Sequence, residues 1–110
     1  MLPNADRAIV PPAKLTGYLL DIDHPDGGPK AVFFRAHGYD EDSAPALAAG
    51  LLHIARSQPV ADQRTTPYGT SYGVIGVLRT PRGTAVCVRT VWFLRGGTTS
   101  PLFVTAYPDR

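Results

Sequence analysis

Residues 84–95 read TAVCVRTVWFLR and are dominated by β-branched and aromatic side chains, a composition typical of a β-strand. Because side chains alternate across a sheet, this strand has two distinct faces. One face carries Val86, Val88, Thr90, Trp92 and Leu94. The other carries Cys87, Arg89, Val91, Phe93 and Arg95. The first set is nearly all apolar and predicts a buried face. The second mixes cations with aromatic rings and predicts an open face.

Three further stretches, residues 60–66, 71–79 and 101–107, have a similar composition and are separated by turn residues. Consecutive strands of this kind predict a β-meander over residues 59–110. Pro67-Tyr68-Gly69 predicts a bend or bulge, because Pro cannot donate to a ladder and Gly tolerates unusual backbone angles. Alternation in the last strand adds Leu102, Val104 and Ala106 to the buried face and Phe103, Thr105 and Tyr107 to the open face.

Residues 1–58 instead carry helix signals. Pro12 pre-sets the backbone for a short first helix over residues 13–20, where Leu15, Tyr18 and Leu19 recur at spacings of three and four. Pro29 opens a second helix, which ends before Gly38 because glycine readily adopts the left-handed conformation that follows many helices. A third helix begins near Ser43 and repeats an apolar residue along one face, at Leu47, Leu51 and Ile54.

Helices followed by consecutive strands predict an α+β fold, with two or three N-terminal helices packed on one face of a four-stranded antiparallel sheet. The chain of 110 residues has the usual length of one domain, so we expect residues 1–110 to form a single domain. We expect Trp92, Val88 and Val104 to be buried beneath Leu51 and Phe33 or Phe34.

Cys87 is the only cysteine, which excludes an internal disulfide and a multi-cysteine zinc site. Its neighbours Val86 and Val88 suggest a buried or half-buried strand position. We expect no cofactor and no metal. The apolar runs are too short to span a membrane, and no secretory signal is visible. The expected location is therefore the cytoplasm, which would also hold for a toxin tail delivered there.

The net charge of +2 is unevenly distributed. Residues 1–63 carry five Lys or Arg and eight Asp or Glu, a net charge of −3, whereas residues 64–110 carry six and one, a net charge of +5. A basic sheet could attract the phosphates of a nucleic acid, and an arginine-rich sheet face with aromatic rings suits RNA. An ordinary solvated surface has the same composition, so both interpretations remain open.

Lys30 lies in the first turn of the second predicted helix, where the dipole disfavours a cation but the free amides favour a phosphate. His24 precedes it and could transfer protons near neutral pH. The alternative is a loop histidine followed by a solvated lysine. Arg89 is costly in mid-strand without a partner, and Asp109 is the only carboxylate of the basic half. A buried carboxylate partner would therefore have to come from the helical half, and the absence of one would favour phosphate. If Arg89 faces an open cleft, we expect it to bind phosphate and Arg89→Ala to abolish cleavage without unfolding the protein.

Several short stretches together resemble a small uncharacterised bacterial domain that occurs alone and at the ends of polymorphic toxins and phage-associated proteins. In the helical half they are Lys14-Leu15, Tyr18-Leu19-Leu20, His24-Pro25, Gly28, Lys30-Ala31, Phe33-Phe34 and Gly38-Tyr39. In the strand half they are Thr66-Pro67-Tyr68-Gly69, Arg89-Thr90-Val91-Trp92 and Val104-Thr105-Ala106-Tyr107-Pro108. Such domains are similar in layout to the barnase, colicin and RelE group of metal-independent ribonucleases.

The resemblance implies a toxin-like ribonuclease that cleaves RNA by attack of the 2′-hydroxyl, and a cognate inhibitor of the immunity or antitoxin kind. The implied catalytic residues are His24, Lys30, Arg89, Thr105 and Tyr107. We expect further substrate contacts from Tyr68, Thr90, Phe103 and Arg95. Glu41, the sole glutamate, lies in a predicted loop, so the general base is unassigned. The alternative is a non-catalytic module that binds protein or nucleic acid through the open sheet face.

Overall fold

The computed structural model describes residues 1–109. A 3₁₀ turn, Ala5–Arg7, precedes helix α1, Pro12–Lys14, which continues directly as a π-helical turn, Leu15–Leu19. Two longer helices follow, α2 over Gly28–Ala36 and α3 over Ala44–Ser57. The strands are β1 (Val60–Thr66), β2 (Gly69–Arg79), β3 (Ala85–Arg95) and β4 (Leu102–Pro108). The predicted α+β fold, with N-terminal helices on a four-stranded antiparallel sheet, is confirmed.

The sheet is a simple meander in the order β1-β2-β3-β4, with every neighbouring pair antiparallel. Pro67 and Tyr68 form the turn of the first hairpin, between the paired residues Thr66 and Gly69. The chain therefore changes direction where the Pro and Gly signals predicted it. The second hairpin keeps its register over its full length, from Gly69 opposite Arg95 to Arg79 opposite Ala85.

The core lies between α3 and the helix-facing side of β2 and β3. Val88, Thr90 and Trp92 are fully buried, as the alternation of β3 predicted. The Trp92 indole Nε1 donates to Thr90 Oγ1 over 2.8 Å, and that hydroxyl donates to the Val74 carbonyl oxygen over 2.7 Å. Both buried polar side chains are thus satisfied, which removes the cost of burying them. The apolar stripe of α3 is buried against this face, including Leu51.

Strand β4 departs from simple alternation. Val91 pairs with Thr105 but Trp92 pairs with Phe103, so Val104 is an extra residue that forms a β-bulge. The bulge turns Phe103 into the core, where it is 1% exposed and its ring centroid lies 5.4 Å from that of Trp92. Leu102 is 44% exposed. The predicted faces of Phe103 and Leu102 were therefore wrong, and Val104 is half-buried rather than buried.

The expected burial of Cys87 was wrong, because its side chain is exposed, although strand alternation had assigned it correctly to the open face. It lies between Val86 and Val88 on the opposite, open face of β3, which the helices do not cover. Hydrophobic neighbours in sequence therefore gave no information about its own burial. Within residues 1–109, no helix is long and apolar enough to cross a membrane.

Candidate functional site

Side chains from three elements meet beside β4 and form a hydrogen-bonded chain. The Lys30 ammonium donates to the Tyr18 hydroxyl over 2.8 Å. The Tyr18 hydroxyl and Thr105 Oγ1 are 2.9 Å apart and hydrogen-bonded. Because Lys30 can only donate, Tyr18 accepts from Lys30 and has its own proton available for Thr105. We call Tyr18, His24, Lys30, Thr105 and Tyr107 the Tyr18 cluster.

The Tyr18 cluster is also held by aromatic contacts. The rings of His24 and Tyr18 meet edge to face, with centroids 5.1 Å apart. Lys30 Nζ lies 5.3 Å from the Tyr18 centroid and 6.0 Å from that of Tyr107. A second cation, Lys14 Nζ, lies 5.0 Å from the Tyr18 centroid. These distances are within cation–π range, so both ammonium groups are attracted to the same ring.

Two glycines explain how α2 brings Lys30 to Tyr18. A Cβ added at Gly27 would lie 2.5 Å from the Tyr18 carbonyl oxygen, and one at Gly28 would lie 2.7 Å from the Ile22 carbonyl oxygen. Only residues without a side chain allow the start of α2 to approach the preceding segment this closely. The Gly27-Gly28 pair, which marked a turn in the sequence, therefore sets the position of the lysine in the first turn of α2.

The environment lowers the pKa of Tyr18 below its ordinary value of 10.0. Partial burial by itself raises the pKa, because it disfavours the phenolate. The hydrogen bonds to Lys30 and Thr105, together with the positive charges of Lys30 and Lys14, favour the phenolate and outweigh burial. At a given pH a larger fraction of Tyr18 is therefore phenolate, the form that can accept a proton, than of an ordinary tyrosine.

His24 belongs to the cluster, but one of its ring nitrogens is already occupied. Nδ1 accepts hydrogen bonds from the backbone N–H groups of Asp26 and Gly27, each over 3.0 Å. An imidazole nitrogen that accepts carries no proton, so the neutral ring has its proton on Nε2. The one lone pair of neutral His24 is thus used inside its own loop. This arrangement orients the ring against Tyr18 and leaves it poorly prepared to accept a proton from a substrate.

Arg89 has carboxylate partners, and one of them lies in β1 rather than in the helical half, where a buried partner was expected. It forms an ion pair with Asp62 of β1, and its Nε lies 3.7 Å from Asp109 Oδ1. The hydrogen bond to Asp62 is the main reason that the pKa of Arg89 lies above its ordinary value. Gly73 leaves room for the pair, because a Cβ there would lie 2.4 Å from Asp62 Oδ1. A structural role accounts for Arg89 without any phosphate.

The predicted site residues fall into three groups. Lys30, His24, Thr105 and Tyr107 come together, and Arg89 lies next to this group because it pairs across the sheet with Tyr107. Thr90 and Phe103 are buried in the core and cannot touch a substrate from there. Tyr68 and Arg95 lie at the far end of β3, about 13 Å along the strand from Thr105.

Sequence reasoning missed Tyr18 as a site residue, because its spacing from Leu15 and Leu19 suggested the apolar side of a helix. The π-helical turn changes that geometry. Leu15 and Leu19 are buried, whereas Tyr18 is half-buried and its hydroxyl reaches Thr105. A usable signal was present in Lys14, four residues earlier, since residues four apart share a helix face. Among residues 1–109, no three His, Cys, Asp or Glu side chains gather in a metal-binding group.

The architecture is thus an α+β domain with a helical N-terminal half, an antiparallel meander and a tyrosine–lysine–threonine chain beside the last strand. The chain belongs to the family described as Domain of unknown function (DUF6883), whose model matches residues 1–110.

Among solved structures, the chain is similar to one in the contact-dependent growth inhibition toxin–immunity protein complex from Klebsiella pneumoniae 342. The two chains share 16% sequence identity, and the match covers 97% of each with a TM-score of 0.75. At this identity the likeness shows a shared fold. No curated protein matches the sequence.

Proposed function

We propose that residues 1–110 act as a toxin-like ribonuclease domain that cleaves RNA by transesterification without a metal ion. The observation that carries the proposal is the Lys30–Tyr18–Thr105 chain, with bonds of 2.8 and 2.9 Å. It places a proton acceptor, a cation and a hydroxyl within one hydrogen-bonded group. Cleavage at the 2′-hydroxyl needs a base, a positive charge near the phosphate and groups that orient it.

Tyr18 is the proposed general base. As a phenolate it takes the proton of the 2′-hydroxyl, and the 2′ oxygen then bonds to phosphorus. The bond between phosphorus and the 5′ oxygen breaks, and the Lys30 ammonium gives that oxygen a proton. The products are a 2′,3′-cyclic phosphate and a 5′-hydroxyl end. The proton on Tyr18 then passes to the neutral Lys30 amine along their 2.8 Å hydrogen bond, which restores both groups.

The other cluster residues support this step. Lys30 also attracts the developing negative charge of the pentacoordinate phosphorane, and preorganised charge of this kind is worth several kcal/mol. Thr105 and Tyr107 orient the scissile phosphate, since Thr105 already bonds Tyr18 and the Tyr107 ring lies beside Lys30. His24 positions the Tyr18 ring. Arg89 adds positive potential at the edge of the site, reduced by Asp62 and Asp109.

The toxin-like role draws support from the shared fold, because the similar solved structure is a toxin–immunity protein complex. An RNA-cleaving toxin needs a cognate inhibitor in the cell that makes it, so we propose such a protein as a partner. Its substrate RNA would place its action in the cytoplasm. Expression without an inhibitor should arrest growth, and expression of the Lys30→Met variant should not.

The direct test is cleavage of total and transfer RNA by the purified protein in the presence of EDTA. We expect products with 2′,3′-cyclic phosphate ends and no cleavage of DNA of the same sequence. Lys30→Met should lower the cleavage rate by about 10²–10³, the usual effect of removing one preorganised donor. Arg82→Met removes an exposed cation from the turn between β2 and β3 and is the matched control, for which we expect an unchanged rate.

The second candidate function is a binding module without catalysis. The ion pairs of Arg89 favour it, because they leave less free positive charge on the open face than the sequence suggested. RNA binding with no cleavage of any RNA, and normal growth on expression, would establish this alternative and exclude the proposed mechanism.

A further inference from the structure

Strand β2 extends well beyond its outer neighbour. Pairing between β1 and β2 runs from Gly69 to Val74, whereas pairing between β2 and β3 continues to Arg79. The register of β1 shifts between Val60 and Asp62, at the point where the chain arrives from α3. Residues 75–79 of β2 therefore have a strand on one side only. Exposed sheet edges of this kind are ready to pair with another chain.

The hydrogen-bond pattern identifies the groups at this open edge. The Thr80 N–H donates to the Thr84 carbonyl oxygen over 2.9 Å, so the even-numbered residues of β2 bond to β3. In an antiparallel ladder the alternate residues point the other way, which directs the N–H and C=O groups of Val77 and Arg79 outward. The Tyr39 hydroxyl donates to the Arg79 carbonyl oxygen over 3.4 Å. Within residues 1–109, no partner strand reaches the remaining groups of Val77 and Arg79.

A groove of about 590 Å³ runs between this open edge and α3. Its α3 side includes small residues such as Ala49 and Gly50 and polar ones such as His53 and Ser57. Its β2 side is formed by Gly76–Arg79, and Val77 is 55% exposed. The groove thus offers both a backbone edge and space for the side chains of an added strand.

The charges beside the groove are positive. Arg79 on the edge and Arg82 in the following turn are exposed, and neither forms an ion pair within residues 1–109. Pairing of two copies along this edge would bring two sets of these cations together, which disfavours a second copy of the chain. A segment with carboxylates would instead be attracted.

We infer that the edge of β2 at Val77 and Arg79 docks an extended acidic segment of another protein, which adds a strand to the sheet. Main-chain hydrogen bonds supply the attachment, and alternate side chains enter the groove. Carboxylates of the segment pair with Arg79 and Arg82. The inference does not rest on the proposed ribonuclease activity, since β2 lies across β3 from the strand that carries Thr105 and Tyr107.

The test is a titration of the full-length protein with a short synthetic peptide in which Val and Glu alternate, followed by amide NMR. We expect saturable shifts and slowed hydrogen exchange at Val77 and Arg79, with binding weakened by salt. A peptide of alternating Val and Lys should bind at least about tenfold more weakly, because like charges in an interface cost more than 1.4 kcal/mol.

Arg79→Glu should remove the preference for the Val-Glu peptide, because the new carboxylate offsets the charge of Arg82. Arg64→Glu, the same change on exposed β1, should leave it unaltered. Val77→Pro removes an edge donor and should abolish binding. If Val77→Pro unfolds, the peptide preference of Arg79→Glu alone tests the docking site. Three results would overturn the inference. The first is that the amide shifts and exchange rates of Val77 and Arg79 do not change, and the second is that both peptides bind equally. The third is amide protection that rises with protein concentration in the absence of peptide. The last result would identify a second copy as the occupant.

Discussion

The two edges of the sheet differ in what pairs with them. On the outer side of β4, Ile9 pairs with Leu102, because Ile9 N–H donates to the Pro101 carbonyl oxygen and Phe103 N–H donates to that of Ile9, each over 2.9 Å. Further along, the Tyr18 hydroxyl bonds Thr105 and accepts a hydrogen bond from Lys30. At the other edge, no strand of residues 1–109 pairs with β2 beyond Val74, where the Tyr39 hydroxyl contacts the Arg79 carbonyl oxygen. The β4 edge is therefore lined by side chains that contact it, whereas the β2 edge exposes backbone N–H and C=O groups.

This difference separates the two roles proposed for the molecule. Chemistry needs side chains held in fixed positions, which the covered β4 edge provides through contacts with the π-helical turn and α2. Recognition of an extended segment needs unpaired backbone, which only an open edge provides. Because β3 lies between β2 and β4, a partner could occupy the open edge of β2 while the Tyr18 cluster stays accessible.

The largest expected effect is at the Tyr18 hydroxyl. Tyr18→Phe keeps the ring but removes the group that accepts from Lys30 and bonds Thr105, and it should lower RNA cleavage by about 10²–10⁴, the usual contribution of a general base. Cleavage rates of the purified variant measure this. Tyr68→Phe, at the exposed turn between β1 and β2, is the matched control and should keep the full rate. Full activity in Tyr18→Phe would remove Tyr18 from the mechanism.

The second prediction compares apolar residues at the two edges. Phe103 is fully packed against Trp92, so Phe103→Ala should lower the free energy of unfolding by about 3–5 kcal/mol. Val77 is 55% exposed, so Val77→Ala should cost about 0.5 kcal/mol or less. Chemical denaturation of both variants gives the two values. If Phe103→Ala and Val77→Ala lost similar free energies of unfolding, Val77 and the open edge would have to be covered in solution.

The third prediction concerns two glycines of β2 on opposite faces. A Cβ at Gly76 would lie 2.8 Å from two carbons of Ile54, which is buried and β-branched, so Gly76→Ala should cost about 1–3 kcal/mol through overpacking. A Cβ at Gly73 meets the flexible ends of Asp62 and Arg89, and Gly73→Ala should cost only about 0–1 kcal/mol through the loss of their ion pair. Denaturation midpoints of the two variants measure the difference. A larger loss of stability in Gly73→Ala than in Gly76→Ala would contradict the assigned faces.

The smallest effect is spectroscopic. The pKa of Tyr18 is lowered and that of Tyr39 is raised, the latter by burial. As pH rises, Tyr18 should therefore ionise before the ordinary value of 10.0, and Tyr39 after it. Lys30→Met removes a hydrogen bond and a charge that favour the phenolate, so it should move the Tyr18 titration to higher pH. NMR titration of the tyrosine rings checks both statements. An unchanged Tyr18 pKa in Lys30→Met would contradict the contact between Lys30 and Tyr18.

Much of the scaffold could be predicted because each element depends on local composition. The alternation in β3 gave its buried face correctly, including the buried Thr90 and Trp92. In β4 the same rule failed at Leu102 and Phe103, because the bulge at Val104 has no Gly or Pro to mark it. Sequence alone therefore assigned Phe103 to the wrong face.

The candidate site was predictable only in part. Lys30 stood out because a cation is unfavourable in the first turn of a helix, and Thr105 and Tyr107 came from strand alternation. The partner of Arg89 was not foreseen, because Asp62 is 27 residues away and its approach depends on the pairing of β1 with β2. Tyr18 was hidden because a π-helical turn has no reliable sequence signature.

That π-helical turn makes the number of residues in this segment as important as their identity. The Leu20 N–H bonds the Leu15 carbonyl oxygen five residues earlier, over 2.7 Å, so the turn holds one residue more than an α-helical turn. Removing one residue would restore the ordinary turn and rotate the side chains on one side of the deletion by about 100° relative to the other. Either Tyr18 would leave Thr105, or Leu19 and Leu20 would leave the core. A substitution here changes one side chain, whereas an insertion or deletion changes the placement of all the side chains on one side of it.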